Sequence, residues 1–259
     1  MEEFRYFLKL AYNGSTFHGW QAQKNAHSVQ QEIEQALSCL NGNKPVLLTG
    51  AGRTDTGVHA RNYFAHFDID MELHPEELEQ LVYRLNHILP DSVAIHYAFR
   101  VPPDAHARFS AIDRTYRYFI CRNYDPFAIG LSWRLTVPLN VNLMNDAAKL
   151  IENYNDFTCF AKSGTQTKTN NCIVTASRWI ERDNFLIYET TANRFLRNMV
   201  RAMVGTLVDV GKEKLSLENF RHLLEQGTRS DAGQSVPACG LFLENITYPD
   251  WIGHNSLHS

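Results

Sequence analysis

A chain of 259 residues with 44% hydrophobic side chains can bury a large core, and at about 150 residues per domain it suggests one or two domains. No run of about 18 apolar residues exists, which argues against a membrane span, and Met1-Glu2-Glu3-Phe4 lacks the basic and apolar segments of an export signal. The net charge of −3 does not by itself suggest a nucleic-acid partner, and five scattered cysteines without a C-x-x-C pair fit reduced thiols in a cytoplasm and argue against a zinc site.

In chain order, Phe4, Tyr6, Leu8 and Leu10 alternate with Arg5, Phe7 and Lys9, the period of a strand. Asn13-Gly14 ends it as a turn. Ser28 and Gln31 form a capping-box pattern before a helix whose apolar positions are Val29, Ile33, Leu37 and Leu40, and Asn41-Gly42-Asn43 stops that helix. Residues 46–49 read as a short strand, residues 50–60 as a glycine-rich loop, and residues 63–69 as a strand. Pro75 suits a helix start, with Leu78, Leu81, Val82, Leu85 and Ile88 as its apolar stripe. Residues 93–99 close this half as a strand, so its order is β-α-β-β-α-β.

Val101-Pro102-Pro103-Asp104 is the best junction, dividing the chain into 1–105 and 106–259. Beyond it, residues 107–121 read as one long strand, and Asp125-Pro126 opens an irregular stretch. Asn142 can cap a helix running to about Asn153. Residues 172–181 and 185–191 form a hairpin about Asp183-Asn184. A strong helix is predicted over residues 193–210, a shorter one over 216–226, and a last strand over 241–247. The order is again β-α-β-β-α-β, with one helix added. The expected fold is therefore α+β: two tandem ferredoxin-like units, antiparallel sheets side by side, helices on one face, and an active cleft between the halves.

Charge is unevenly distributed. Residues 65–95 carry Asp68, Asp70, Glu72, Glu76, Glu77, Glu79 and Asp91 against Arg84 alone, whereas residues 106–122 carry Arg108, Arg114, Arg117 and Arg122 against Asp113. A segregated field can bind a polyanion on one face of an acidic protein, although such clusters are also ordinary solvated faces. On a helix over 193–210, Arg194, Arg197 and Arg201 fall within about 60° of one another, opposite Phe195, Leu196, Met199, Val200, Met203, Val204 and Leu207. That face is either a wet amphipathic side or a surface for phosphates and for a carboxylate.

The loop Gly50-Ala51-Gly52-Arg53-Thr54-Asp55-Thr56-Gly57 brackets one arginine and one aspartate with three glycines. It is not a dinucleotide fingerprint, because Asp55 stands where the sixth-position glycine belongs, and not a phosphate loop, because Val58-His59 follows Gly57 in place of Lys-Ser/Thr. An aspartate on a glycine turn can serve as nucleophile, acid, base or metal ligand. No metal-ligand spacing accompanies His59 or His66, so no metal is expected. A paired-carboxylate hydrolase would need a second acid, Asp113 or Asp156, which sequence cannot place. An arginine nearby favours the ionised form, suited to a nucleophile or an electrostatic stabiliser. On a strand, Arg114, Tyr116 and Tyr118 share a face and Arg117 takes the other, and such a face can equally hold a nucleobase or be a core of tyrosines.

Six segments resemble the tRNA pseudouridine synthase A family: Tyr12-Asn13-Gly14-Ser15 with Gly19-Trp20-Gln21, Gly52-Arg53-Thr54-Asp55, Arg114-Thr115-Tyr116-Arg117-Tyr118, Asn155-Asp156-Phe157, Phe195-Leu196-Arg197-Asn198-Met199-Val200-Arg201, and Pro237-Ala238-Cys239-Gly240-Leu241. They stand in family order across nearly the whole chain. Thr56 stands where the family often has alanine, and Cys239 where lysine or another polar residue is common. The resemblance implies a cofactor-free isomerase converting uridine to pseudouridine at positions 38, 39 and 40 of the tRNA anticodon stem-loop. It implies that Asp55 is the nucleophile, that Arg201 keeps Asp55 ionised, and that Tyr116 contacts the uracil. Arg53 would fill the space left by the flipped nucleotide, and Leu241 would pack under the base. Arg114, Arg194 and Arg197 are candidates for the RNA backbone, and a cytoplasmic homodimer is expected. A non-catalytic RNA-binding module and an Asp55 hydrolase are the competing readings.

Overall fold

A computed structural model of the chain describes residues 3–162 and 168–253. It is a mixed α/β protein whose strands pair mostly antiparallel, with five α-helices among the described residues. Two compact units form: Met1–Ile112 together with Leu243–Ser259, and Asp113–Phe242.

The first unit runs β1 (Phe4–Tyr12), α1 (Val29–Leu40), β2 (Thr49–Gly50), β3 (His59–Ile69), α2 (Pro75–Ile88) and β4 (Val93–Arg100). Its strands lie in the order β4-β1-β3, with β2 also on β3. Of the predicted strand over 46–49 only Thr49 pairs, as the first residue of β2: Leu48 N–H donates to Glu34 Oε1 and Gln30 Nε2 donates to the Leu48 carbonyl. Side chains of α1 thus take the hydrogen bonds a ladder would have used. As expected, the Ser28 hydroxyl caps α1 by accepting from Gln31 N–H, and Asn41 ends that helix. Pro75 opens α2, and Glu77 Oε2 accepts the His74 N–H. Central strand β1 is covered on both faces: Tyr6, Leu8 and Leu10 are buried, and so is Phe7, packed between Phe99, His66 and Tyr248.

Sequence division at 105/106 left residues 243–259 with the C-terminal half, whereas the compact units group them with 1–112. The ties are specific. Ile112 N–H donates to the Thr247 carbonyl, Asn62 Nδ2 to the Glu244 carbonyl, Tyr248 Oη to the Ala107 carbonyl, and Arg61 lies 3.2 Å from Glu244. The strand predicted from 107 starts only at 113, because residues 106–110 close a turn: His106 N–H donates to Ser110 Oγ, Ser110 N–H to the His106 carbonyl, and Arg108 and Phe109 N–H to His106 Nδ1.

The second unit contains β5 (Asp113–Cys121), β6 (Trp133–Arg134), α3 (Val141–Ile151), β7 (Val174–Arg182), β8 (Phe185–Ala192), α4 (Met199–Gly211) and α5 (Leu217–Gln226). β5, β8 and β7 are neighbours in that order, and β6 runs parallel to β5. α3 packs on α4, α5 and β7. The cap of α3 is Asn140 rather than Asn142, its Oδ1 accepting from Leu143 N–H. The hairpin turns at Asp183, φ 51°, as predicted. The last strand, β9 (Leu241–Thr247), begins in this unit and ends in the first.

Burial holds His66 as a neutral acceptor. Its Nδ1 takes the Ala107 N–H at 3.1 Å, and its ring meets that of His106. Desolvation first, then the charges of Arg5 and His106, pull its pKa from 6.5 to about 4. The folded value lies below the unfolded one, so this contribution is complete above pH 6.5 and is lost as the pH falls towards 4. Its full size is about 3 kcal/mol. Urea unfolding from pH 7 to 4 is expected to show a shallower loss in His66→Asn, whose Oδ1 can replace Nδ1. An unchanged slope refutes this role for His66.

Candidate active site

Two loops far apart in sequence interlock in the first unit. Residues 13–21 follow β1, and residues 51–58 join β2 to β3. Each approaches the other too closely for a side chain. A Cβ on Gly14 would lie 2.0 Å from the Val58 carbonyl oxygen, and one on Gly19, at φ +92°, 2.4 Å from that of Thr54. Glycine at these two positions is therefore a packing requirement. Hydrogen bonds fasten the contact: Gly14 N–H donates to His59 Nδ1 at 3.1 Å, Trp20 N–H to the Thr54 carbonyl at 3.4 Å, and the Tyr12 and Thr54 hydroxyls lie 2.8 Å apart.

Aromatic rings form the shelf beneath. Trp20 and Tyr63 lie 4.0 Å apart between ring centroids and are buried, with Tyr12 against both. The Tyr63 hydroxyl donates to the Gly52 carbonyl and accepts from Gly52 N–H. Ala51 N–H donates to the Phe64 carbonyl at 2.9 Å. Beyond Asp55 the chain closes a turn, Val58 N–H donating to the Asp55 carbonyl at 3.1 Å, with Gly57 at φ +77°. Asp55 is thus half-buried on a backbone fixed before and behind it, whereas Arg53 is exposed and donates to Gln21 Oε1 at 3.2 Å. Sequence reading found this loop but missed Tyr12, Trp20, Tyr63 and His59 as its supports. The short glycine spacings in both loops were the signal that something had to approach closely.

In the second unit the strand faces are as expected. Tyr118 is fully buried, its hydroxyl donating to the Pro237 carbonyl, and burial pushes its pKa well up. Tyr116, two residues earlier on the same face, is half-buried with its ring edge-on to Phe195 at 5.2 Å. Arg114 donates to the Asn193 carbonyl. On the other face Arg117 and Arg178 both bind Glu189, which sequence reading missed. Burial works to raise the Glu189 pKa, but the two guanidiniums outweigh it and leave the carboxyl below its ordinary value. Asp156 is occupied by a local turn, its Oδ1 accepting from Thr158 N–H and Oγ1.

The predicted arginine helix needs correction. It starts at Met199, because Asn198 sits at φ +64° and its Nδ2 donates to Ser235 Oγ. Arg194 and Arg197 therefore precede the helix, and the shared basic face does not exist. Only Arg201 lies on α4, which is buried along most of its length. A Cβ on Gly205 would stand 1.9 Å from the Gln234 carbonyl oxygen, so residues 233–237 cover the side predicted to be wet. Arg201 Nε donates to the Val236 carbonyl at 2.7 Å and Val236 N–H returns a bond to the Arg201 carbonyl. Leu241 is buried at the start of β9.

Among the described residues, no group of three or more His, Cys, Asp or Glu side chains is placed to hold a metal ion. No helix among them is long and apolar enough to cross a membrane.

Comparison with known proteins places these features in a family. A family model described as tRNA pseudouridine synthase matches residues 10–110 and 147–249. The chain is 48% identical over 247 residues to a tRNA pseudouridine synthase A of Porphyromonas gingivalis, covering 95% of this chain and 97% of the relative. It is 45% identical over 246 residues to that of Parabacteroides distasonis (95% and 96%), and 37% identical over 243 residues to that of Clostridium acetobutylicum (93% and 98%).

Proposed function

The chain belongs to the tRNA pseudouridine synthase family, whose members are isomerases, and from that premise we propose that it converts uridines 38, 39 and 40 of the anticodon stem-loop to pseudouridine, with Asp55 as nucleophile. The observation that carries this reading is Asp55 itself, half-buried on a backbone that two interlocked loops fix on both sides. A preorganised carboxylate needs no reorganisation as charge develops in the transition state.

The reaction conserves every atom. The bond from ribose to the uracil nitrogen breaks, the uracil turns, and a bond forms from ribose to a ring carbon, which gives up its proton while the freed nitrogen gains one. Attack by Asp55 on either the sugar or the base can start this sequence. A target inside a stacked stem must first be flipped out, and Arg53, exposed at the loop's edge, is proposed to fill the space it leaves. Tyr116 is proposed to contact the uracil and to serve in removing the carbon-bound proton, with Leu241 packing under the base. Arg114, Arg194 and Arg197 are proposed to meet RNA phosphates. The same resemblance supports a cytoplasmic homodimer and a tandem ferredoxin-like fold. For the fold, the order β4-β1-β3 with β2 on β3 is further support.

Incubating the chain with uridine-containing anticodon stem-loop RNA and mapping pseudouridine chemically tests the whole reading; no product at these positions refutes it. Arg201 is proposed to keep Asp55 ionised. Arg201→Ala is expected to lower turnover by about 100-fold or more, the scale of losing one preorganised electrostatic partner. Steady-state kinetics with an unfolding curve as control checks this, and an unchanged kcat removes Arg201 from the mechanism.

A further inference from the structure

Thr54, the residue before Asp55, is held from outside its own loop. Its hydroxyl lies 2.8 Å from that of Tyr12 at the end of β1, its carbonyl accepts from Trp20 N–H, and Gly19 abuts that same oxygen. Tyr12 is 4% exposed, its ring 6.0 Å from Trp20 and 5.7 Å from Tyr63 between centroids. Its position is thus set by a strand and by the aromatic shelf. We propose that Tyr12 is a positioning residue for the isomerisation: through the Thr54 hydroxyl it fixes the direction in which the Asp55 carboxylate leaves the loop. This rests on the reading of Asp55 as nucleophile.

After Asp55 the backbone is closed by the Val58 N–H bond and the left-handed Gly57. Before it, the side chain of Thr54 has the Tyr12 hydroxyl as a partner fixed to the sheet. Loss of that tether leaves the Thr54 peptide to the longer, 3.4 Å bond from Trp20 N–H to its carbonyl, and any rotation of that peptide is passed directly to Asp55. Rate depends steeply on such placement, since a displacement of about 1 Å can cost about 100-fold. RNA affinity is expected to change little, because it is carried largely by phosphate contacts away from this hydroxyl.

Tyr12→Phe keeps the ring and removes only the hydroxyl. With the full-length chain and anticodon stem-loop RNA, it is expected to lower kcat by about 10- to 100-fold with KM within about twofold, at a nearly unchanged unfolding midpoint. Thr54→Val cuts the same bond from the other side and should match it, whereas Thr54→Ser keeps the hydroxyl and should recover most of the rate. The Tyr12→Phe/Thr54→Val double variant should be no slower than the slower single, as expected when both changes remove one interaction. Wild-type kcat in Tyr12→Phe beside an inactive Asp55→Asn overturns the proposal alone, and so do losses that multiply in the double variant. If Tyr12→Phe does not fold, equal rates in Thr54→Val and Thr54→Ser overturn it instead. An Asp55→Asn variant as active as wild type overturns the underlying reading, and this proposal with it.

Discussion

Asp55→Asn is expected to abolish pseudouridine formation, a loss on the order of 10⁴-fold or more, while tRNA binding stays within a few-fold of wild type. Asparagine has almost the shape of aspartate, and the turn at this position is closed by backbone, Val58 N–H to the Asp55 carbonyl, so the loop should keep its form. The preceding residues remain held by Tyr12, Trp20 and Tyr63. What disappears is the negative charge and its lone pairs, and an amide is too weak a nucleophile to replace them. Chemical mapping of the product and a filter-binding isotherm on the same preparation separate the two effects. Product from the variant equal to wild type would show that the carboxylate takes no part in bond breaking.

Gly14→Ala should cause the largest loss of stability among single-methyl additions in the first unit, about 3 kcal/mol or more, at or above the upper end for overpacking. The new Cβ would meet the Val58 carbonyl at 2.0 Å. Neither partner is the flexible end of a side chain, so the loops must part, and the 3.1 Å bond from Gly14 N–H to buried His59 must lengthen with them. Since the displaced loop carries Asp55 three residues earlier, the fraction that still folds should also turn over slowly. Gly42→Ala is the internal comparison: Gly42 has φ +63° but nothing within 4 Å of a Cβ, so it isolates backbone strain, worth about 1 kcal/mol. Urea unfolding of both variants decides the matter, and equal losses would sink the packing explanation.

Much of the fold was legible because local chemistry and long-range packing agree there. Ser28 and Pro75 mark helix starts that the structure keeps, and the apolar spacing of α1, and of α2 as far as Leu85, faces the core, whereas Ile88 is exposed. Disagreements occur where a distant residue decides. The apolar period through Phe195, Leu196 and Met199 reads as helix, yet Asn198 is turned into a left-handed conformation with its amide on Ser235, which lies 37 residues away. The alternation from Ala107 onward reads as strand, yet His106 gathers the Arg108 and Phe109 N–H groups into a turn. The Asp55 loop was visible because three glycines fall within eight residues, 50–57, of the sequence. Its braces were not, because nothing local shows that Tyr12 reaches Thr54 or that Gly14 lies under Val58.

The return of residues 243–248 to the first unit has a consequence during synthesis. When the ribosome has made residue 112, the Ile112 N–H still lacks the Thr247 carbonyl, Asn62 lacks Glu244, and the Ala107 carbonyl lacks Tyr248. The portion that carries Asp55 cannot complete these bonds until residues 243–248 have been made. A chain that stops between residues 112 and 243 leaves the part that carries Asp55 without all three of these bonds.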